Sequence, residues 1–240
     1  REFFAALKGG ARAVGEHRKV VEQDPTVADA YLTIGIYDYI VGSLPLWVKM
    51  IAALGGVRGS KERGIQELRR AAERGKYAND DARVLLIAIY AREDQDQKAL
   101  DLVNQLANRY PRNYYFPIEA ANILVKMRHK REGFDAFEAM RQKKEFQDVY
   151  DMIHFQYAQT LAENGYHVAA LHHYRKVTTM PEASPQLVTL AHLRIGQLLD
   201  LKGEREAAIA SYKTVLSQDN VFDSHEQAQR YLNKPFTMQE

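Results

Sequence analysis

Residues His192–Asn220 read HLRIGQLLDLKGEREAAIASYKTVLSQDN. Two helices are expected here, on either side of the turn Lys202-Gly203-Glu204. The glycine supplies the positive φ that a helix C-terminus favours, and Glu204 falls at the positive end of the following helix. Gly196 in the first helix and Ala208 in the second are small, so the two can lie close together. Tyr212 is large and fills the gap toward the next pair. Neither helix can bury its apolar face alone, so the pair requires neighbours of the same kind.

The neighbours are visible at a regular spacing. Small, large and medium residues recur as Gly64, Leu68 and Ala71; Ala99, Val103 and Leu106; Gly133, Phe137 and Met140; and Ala170, Tyr174 and Val177. The leading positions stand 35, 34 and 37 apart, against a tetratricopeptide period of about 34. His192, Ile195, Gly196 and Leu199 fall on the W-x2-L-G-x2-Y sites of such a repeat, and Ala208, Tyr212, Val215 and Asn220 on the second-helix sites. The chain therefore resembles the tetratricopeptide repeat (TPR) family over roughly four-fifths of its length.

The resemblance implies an all-α fold: a right-handed α-solenoid of helix-turn-helix pairs, with one inserted apolar helix and a C-terminal capping helix. On this reading 1–240 is a single solenoid. A truncated N-terminal pair spans 1–25, broken at Gly9-Gly10. A divergent unit spans 26–75, TPR units span 80–111, 113–145, 148–182 and 186–220, and a polar capping helix spans 221–234. The 37-residue step is assigned to an extended connection around Lys143 to Gln147.

The divergent unit departs from the register. Where its second helix should bring a small residue stands Trp47, the only tryptophan. Leu46, Trp47, Met50, Ile51 and Leu54 make a helical stripe, started by Leu44-Pro45 and stopped by Gly55-Gly56, so a helix is inserted at about 44–54. The delayed second helix runs from about Ser60, its N-cap, to Glu73. This insertion is similar to one in the inclusion-clearance (TPR-39-like) group, which implies a bacterial protein, extracytoplasmic or membrane-associated sooner than cytoplasmic. The chain opens at Arg1 with no Met, and a mature or trimmed fragment is the expectation.

Composition narrows the chemistry. Lys+Arg 33 against Asp+Glu 31 leaves a net charge of +2, which calls for neither nucleic acid nor an anionic surface. There are 0 cysteines, hence no disulfide frame and no thiolate chemistry. No HExxH, phosphate loop or elbow serine is present, so no catalytic residue, cofactor or metal site is assigned. His154 and His192 take packing sites. His172 and His173 diverge on their helix and cannot chelate together. The basic runs KERGIQELRRAAERGK and MRHKREG interleave glutamates and read as solvated helix faces.

What remains is binding. In the family the first helix of each pair lines the concave wall. The resemblance places Arg92, Tyr115, Asn122, Lys126, Phe155, Gln159, Glu163 and Gln197 there. Asn122, Gln159 and Gln197 recur at one site as a row of amides, which can pair with an extended backbone as donors and acceptors. They alternate with Tyr115, Ile118, Phe155 and Leu193, which favours a peptide groove over a merely solvated surface. The basic set that holds a C-terminal carboxylate in chaperone-tail members is not present, since its central sites hold Val84, Ile118, Phe155 and Leu193. The expectation is thus a non-enzymatic scaffold for a protein or peptide, with no nucleic acid and no small-molecule substrate. The alternative is a membrane-peripheral assembly or trafficking factor docking through Trp47 and Met50. The inserted helix is too short to span a bilayer, and the preferred reading is that it folds back over the solenoid.

Overall fold

The computed structural model describes residues 2–238, with side chains from residue 9 onward. Among the described residues there are thirteen α-helices, one 3₁₀ turn and no strand. Contacts divide the chain into two compact units, 1–109 and 110–240. That both continue one solenoid stays an expectation.

The first unit holds α1 (Glu2–Gln23), α2 (Ala30–Ser43), α3 (Leu46–Leu54), α4 (Lys61–Arg74), α5 (Asn79–Arg92) and α6 (Asp96–Arg109). Its densest contact is between α2 and α4. Gly35 and Gly64 make it possible: a Cβ on Gly64 would run into the backbone of Tyr39 and the Gly35 carbonyl. Ser60 caps α4, its hydroxyl accepting the Arg63 N–H at 3.3 Å. Asp38 on α2 is completely buried. It accepts from Arg18 on α1 at 2.9 Å and from Arg63 on α4 at 2.6 and 3.2 Å, joining three helices through one carboxylate. Asp29 accepts the backbone N–H groups of Tyr77 and Ala78 at 2.9 and 2.8 Å and ties the start of α2 to the start of α5.

Two expectations fail in this unit. Gly9-Gly10 does not break a helix, because α1 runs through it. A glycine lowers helix propensity by only about 1 kcal/mol against alanine, and Gly10 lies under the ring of Tyr37, where tertiary packing holds the helix on course. Nor does the inserted helix bury its stripe. Only Val48 and Ala52 of α3 are buried. Ala52 packs with Val41 and Val57 against Ala11, Tyr37 and Leu44. The stripe that carries Trp47 faces away from that small cluster.

The second unit holds α7 (Tyr115–Lys126), α8 (Lys130–Met140), the 3₁₀ turn Lys144–Val149, α9 (Tyr150–Glu163), α10 (His167–Thr179), α11 (Pro185–Leu201), α12 (Arg205–Leu216) and α13 (Ser224–Asn233). Its hairpins are α7/α8, α9/α10 and α11/α12, with α13 packed on α12 and α11. One core runs through it, centred on Phe137, Ile153, Tyr174, Leu193 and Tyr212. Each such side chain contributes about 1.5–3 kcal/mol by leaving water. Gly196 lies directly against the Tyr212 ring, with no room for a Cβ. Gly203 makes the turn at φ 79. The longer connection expected around Lys143 to Gln147 holds a 3₁₀ turn, which buries Phe146 in the core.

Candidate binding site

The first helices α9 and α11 stand side by side in the second unit. Between them opens a cavity of about 240 Å³. Gln159 and Glu163 come from α9, Arg194 and Gln197 from α11, and His167 from the start of α10. The apolar lining is Ala162, Tyr174, Leu198 and Leu201. Helical spacing explains the polar pairs. Residues three or four apart share a face, so the Gln159 amide donates to Glu163 Oε1 at 3.0 Å and Arg194 Nη1 donates to Gln197 Oε1 at 2.9 Å. A carboxylate on one wall and a guanidinium on the other thus flank an apolar floor. Tyr174 supplies part of that floor, and burial raises its phenol above its ordinary pKa, so it stays neutral.

A segment of the chain itself closes one side. After α13 the backbone turns extended at Lys234 (φ −138, ψ 125), and both Phe236 and Met238 line the cavity. The Phe236 N–H donates to Asp200 Oδ2 at 2.8 Å, and its ring meets Tyr231 edge-on with centroids 5.2 Å apart. Asp200 has no exposed side-chain surface. It also accepts from Arg205 at 2.9 and 3.1 Å and from the Tyr212 hydroxyl at 2.8 Å. A hydrogen bond to a charged group contributes roughly 1.5–3 kcal/mol, and half-burying one phenyl ring adds about 1 kcal/mol. Fixing the backbone of Pro235–Met238 costs roughly 1–2 kcal/mol per residue. The ordering cost matches or exceeds these gains, so this segment is held lightly at most.

Of the residues expected in a groove, Gln159, Glu163 and Gln197 meet at this cavity. Asn122 does not line it, since its carbonyl oxygen accepts the Thr160 hydroxyl at 2.7 Å and so joins α7 to α9. Phe155 does not line the cavity and packs edge-on against Tyr174 inside the core; Gln197, equally buried at 6% exposed, reaches the cavity only with its oxygen taken by Arg194. Ile118 and Leu193 are buried like Phe155, so the expected alternation of amides with open apolar side chains reduces to Tyr115. Tyr115 and Lys126 are exposed at the two ends of α7, away from the cavity, and Arg92 ends α5 in the other unit. Trp47 and Met50 are 63% and 59% exposed, with Leu46, Ile51 and Leu54 beside them.

Sequence reasoning missed His167, Arg194, Phe236 and Met238 and one nearby feature; His167 opens a second helix, outside the first-helix wall that the resemblance assigns. Arg194 lies one residue from a consensus site and carries no signal of its own. Phe236 and Met238 sit beyond the last repeat. The feature is a buried imidazole pair, His154 and His173, with Nδ1 atoms 2.9 Å apart, one of them donating to the other. Burial first, and then Arg141 for His154 and His154 itself for His173, lower the two pKa values to about 4 and about 3. The residues are 19 apart on the two helices of one hairpin, and only the hairpin register could have paired them. Among the described residues no three of His, Asp and Glu converge to hold a metal ion, and no helix is long and apolar enough to cross a membrane.

No family model matches the sequence, and no curated protein does. Solved structures do. Pseudomonas aeruginosa PilF is 13% identical, with a TM-score of 0.52 over 96% of this chain and 92% of that one. Human IFIT1, solved as a dimer with m7Gppp-AAAA, is 16% identical, with a TM-score of 0.54 over 95% of this chain and 59% of that one. YrrB, described as a TPR protein with an unusual peptide-binding site, is 16% identical, with a TM-score of 0.46 over 90% of this chain and 97% of that one. None of these bears on the narrower inclusion-clearance resemblance, which stays an expectation. The stacked helical hairpins and the likeness to these structures show that the chain has the all-α fold of tetratricopeptide-repeat proteins.

Proposed function

We propose that the chain is a non-enzymatic scaffold that takes an extended protein segment at the α9/α11 cavity. The observation that supports this is the convergence of Gln159, Glu163, Arg194 and Gln197 around an apolar floor. The Gln159 amide and Glu163 carboxylate on one wall and the Arg194 guanidinium on the other suit the N–H and C=O groups of a peptide backbone, and the floor suits one side chain. Two helices of the packed core carry the walls, so little ordering entropy opposes binding on the protein side. The test begins with peptides selected by display against the full chain. Combining Gln159→Ala with Arg194→Ala is expected to weaken a selected peptide at least ~10-fold at unchanged melting temperature, since it removes two hydrogen-bonding groups, one of them charged. Equal affinity would discard the site.

A second reading draws on α3. Leu46, Trp47, Met50 and Leu54 are all more than half exposed, with Lys49 among them. An apolar face with a tryptophan and a nearby cation suits the interface of a membrane, making the chain a peripheral assembly or trafficking factor. Flotation of the intact chain with anionic vesicles tests it, and no lipid association removes the reading.

A further inference from the structure

The geometry points to Pro235–Met238 as a resident occupant of the proposed peptide site, and so to the chemistry of the segment that replaces it. That segment is an extended stretch with an aromatic residue followed, two places on, by methionine. The inference rests on the α9/α11 cavity being the binding site and adds what it prefers.

Three observations carry it. First, Phe236 and Met238 line the cavity together with Gln159, Glu163, Arg194 and Gln197, whereas Thr237, between them, lines only the hollow beside Arg230 and Lys234 that Phe236 also borders. That alternation is the period of an extended strand. The chain already presents the site with a side-chain pattern of period two. Second, the segment is fixed by a backbone group, the Phe236 N–H on Asp200, which any peptide except proline can supply. Third, departure leaves nothing stranded. Asp200 keeps Arg205 and the Tyr212 hydroxyl, and Arg205 keeps the Tyr231 and Leu232 carbonyls at 2.8 Å. Phe236 is half-buried and Met238 is 64% exposed, so the occupant seats its aromatic residue and leaves its methionine mostly in solvent. A partner free to seat both would displace it.

The probe is a labelled peptide of the sequence Lys234–Glu240 with both ends blocked. It is titrated against the full chain and against the full chain carrying Phe236→Ser with Met238→Ser. A site filled by its own segment binds the probe with an affinity reduced by the fraction left open. The double variant is expected to bind at least ~10-fold more tightly than the unaltered chain. A control peptide with serine at both positions should bind neither. Equal affinity for the two proteins overturns the occupant, and equal affinity for the two peptides overturns the pattern. Hydrogen exchange in the unaltered chain is independent of any variant: saturating probe must speed exchange at the Phe236 amide, and unchanged protection overturns the displacement. If display-selected peptides still depend on Gln159 and Arg194 while this probe fails, the inference falls and the site stands. If both fail, the site falls as well.

Discussion

Each unit buries one aspartate completely, and the two are used differently. Asp38 is closed in by Arg18 and Arg63, side chains of two helices that belong to the permanent packing of the first unit. Asp200 is held by Arg205 and Tyr212 and gives its last acceptor position to the backbone of Phe236, which lies outside every helix. A buried carboxylate must have its acceptor sites met. Meeting them with packed side chains makes a lock, whereas at Asp200 one donor comes from a segment outside every helix, whose exchange for another chain is the proposal above.

Breaking the lock should give the largest effect. Asp38→Ala removes the contact that joins α1, α2 and α4. Taking one partner from a buried ion pair costs about 3–5 kcal/mol. Both arginines are nearly half exposed and can rehydrate, so about 3 kcal/mol is expected, measured by denaturant unfolding and by faster hydrogen exchange in α2 and α4. Asp200→Ala should cost less, about 2 kcal/mol, because Arg205 keeps its two carbonyl partners on α13. Its exchange signature should appear in α12 and α13. If Asp200→Ala proves the more costly, Phe236 is part of the lock and the contrast is wrong.

The lock and the site were not equally legible in the sequence. The hairpins were, because close helix approach demands small residues at fixed intervals; Gly64 and Gly133 lie at those intervals, Gly196 at the first-helix glycine site, and all three at close contacts. The inserted helix was legible from Pro45 and Gly55-Gly56 around an apolar stripe. Periodicity reports which face a residue takes but not how far the neighbouring helix covers it. For that reason Phe155 was placed in the groove and lies in the core, and the α3 stripe, expected to fold back and be covered, lies in solvent. Of the residues lining the proposed site, Gln159, Glu163 and Gln197 were legible because those positions repeat. Arg194, Phe236 and Met238 do not repeat, and only tertiary packing brings them to the cavity.

Acid should sharpen the contrast by acting on the second unit. Its buried pair, His154 and His173, stays neutral down to about 4 and about 3, against about 6.5 for an exposed imidazole. Both pKa values are depressed on folding, so below about 6.5 the unfolded chain binds protons that the folded chain refuses. The stability that the pair contributes is whole above pH 6.5 and is lost as pH falls toward 4. Arg141, Lys176 and His172 act in the same direction, since positive charge nearby disfavours an imidazolium. His173→Gln should lower the slope of stability against pH in that window by about one proton's worth, roughly 1.4 kcal/mol per pH unit at most. Urea unfolding at pH 7 and pH 5 measures it, and an unchanged slope would mean the pair titrates normally.

The smallest effect belongs to Trp47, and it tests the contrast from the other side. The second unit covers part of its apolar opening with Phe236, whereas the first leaves the α3 stripe bare. A side chain 63% exposed contributes little to folding, so Trp47→Ala should change stability by no more than about 0.5 kcal/mol. Val48→Ala, one residue on and 7% exposed, should cost about 1 kcal/mol or more by leaving a cavity. This ordering matters because tryptophan is much the larger residue, and any role in the core would reverse it. Exposed apolar surface of this kind is uncommon on a soluble chain unless something else binds there. The same Trp47→Ala variant should therefore lose vesicle association if α3 meets lipid, with its unfolding curve unmoved. A fall in melting temperature comparable to that of Val48→Ala would instead place the tryptophan in the fold and leave the first unit without a docking face.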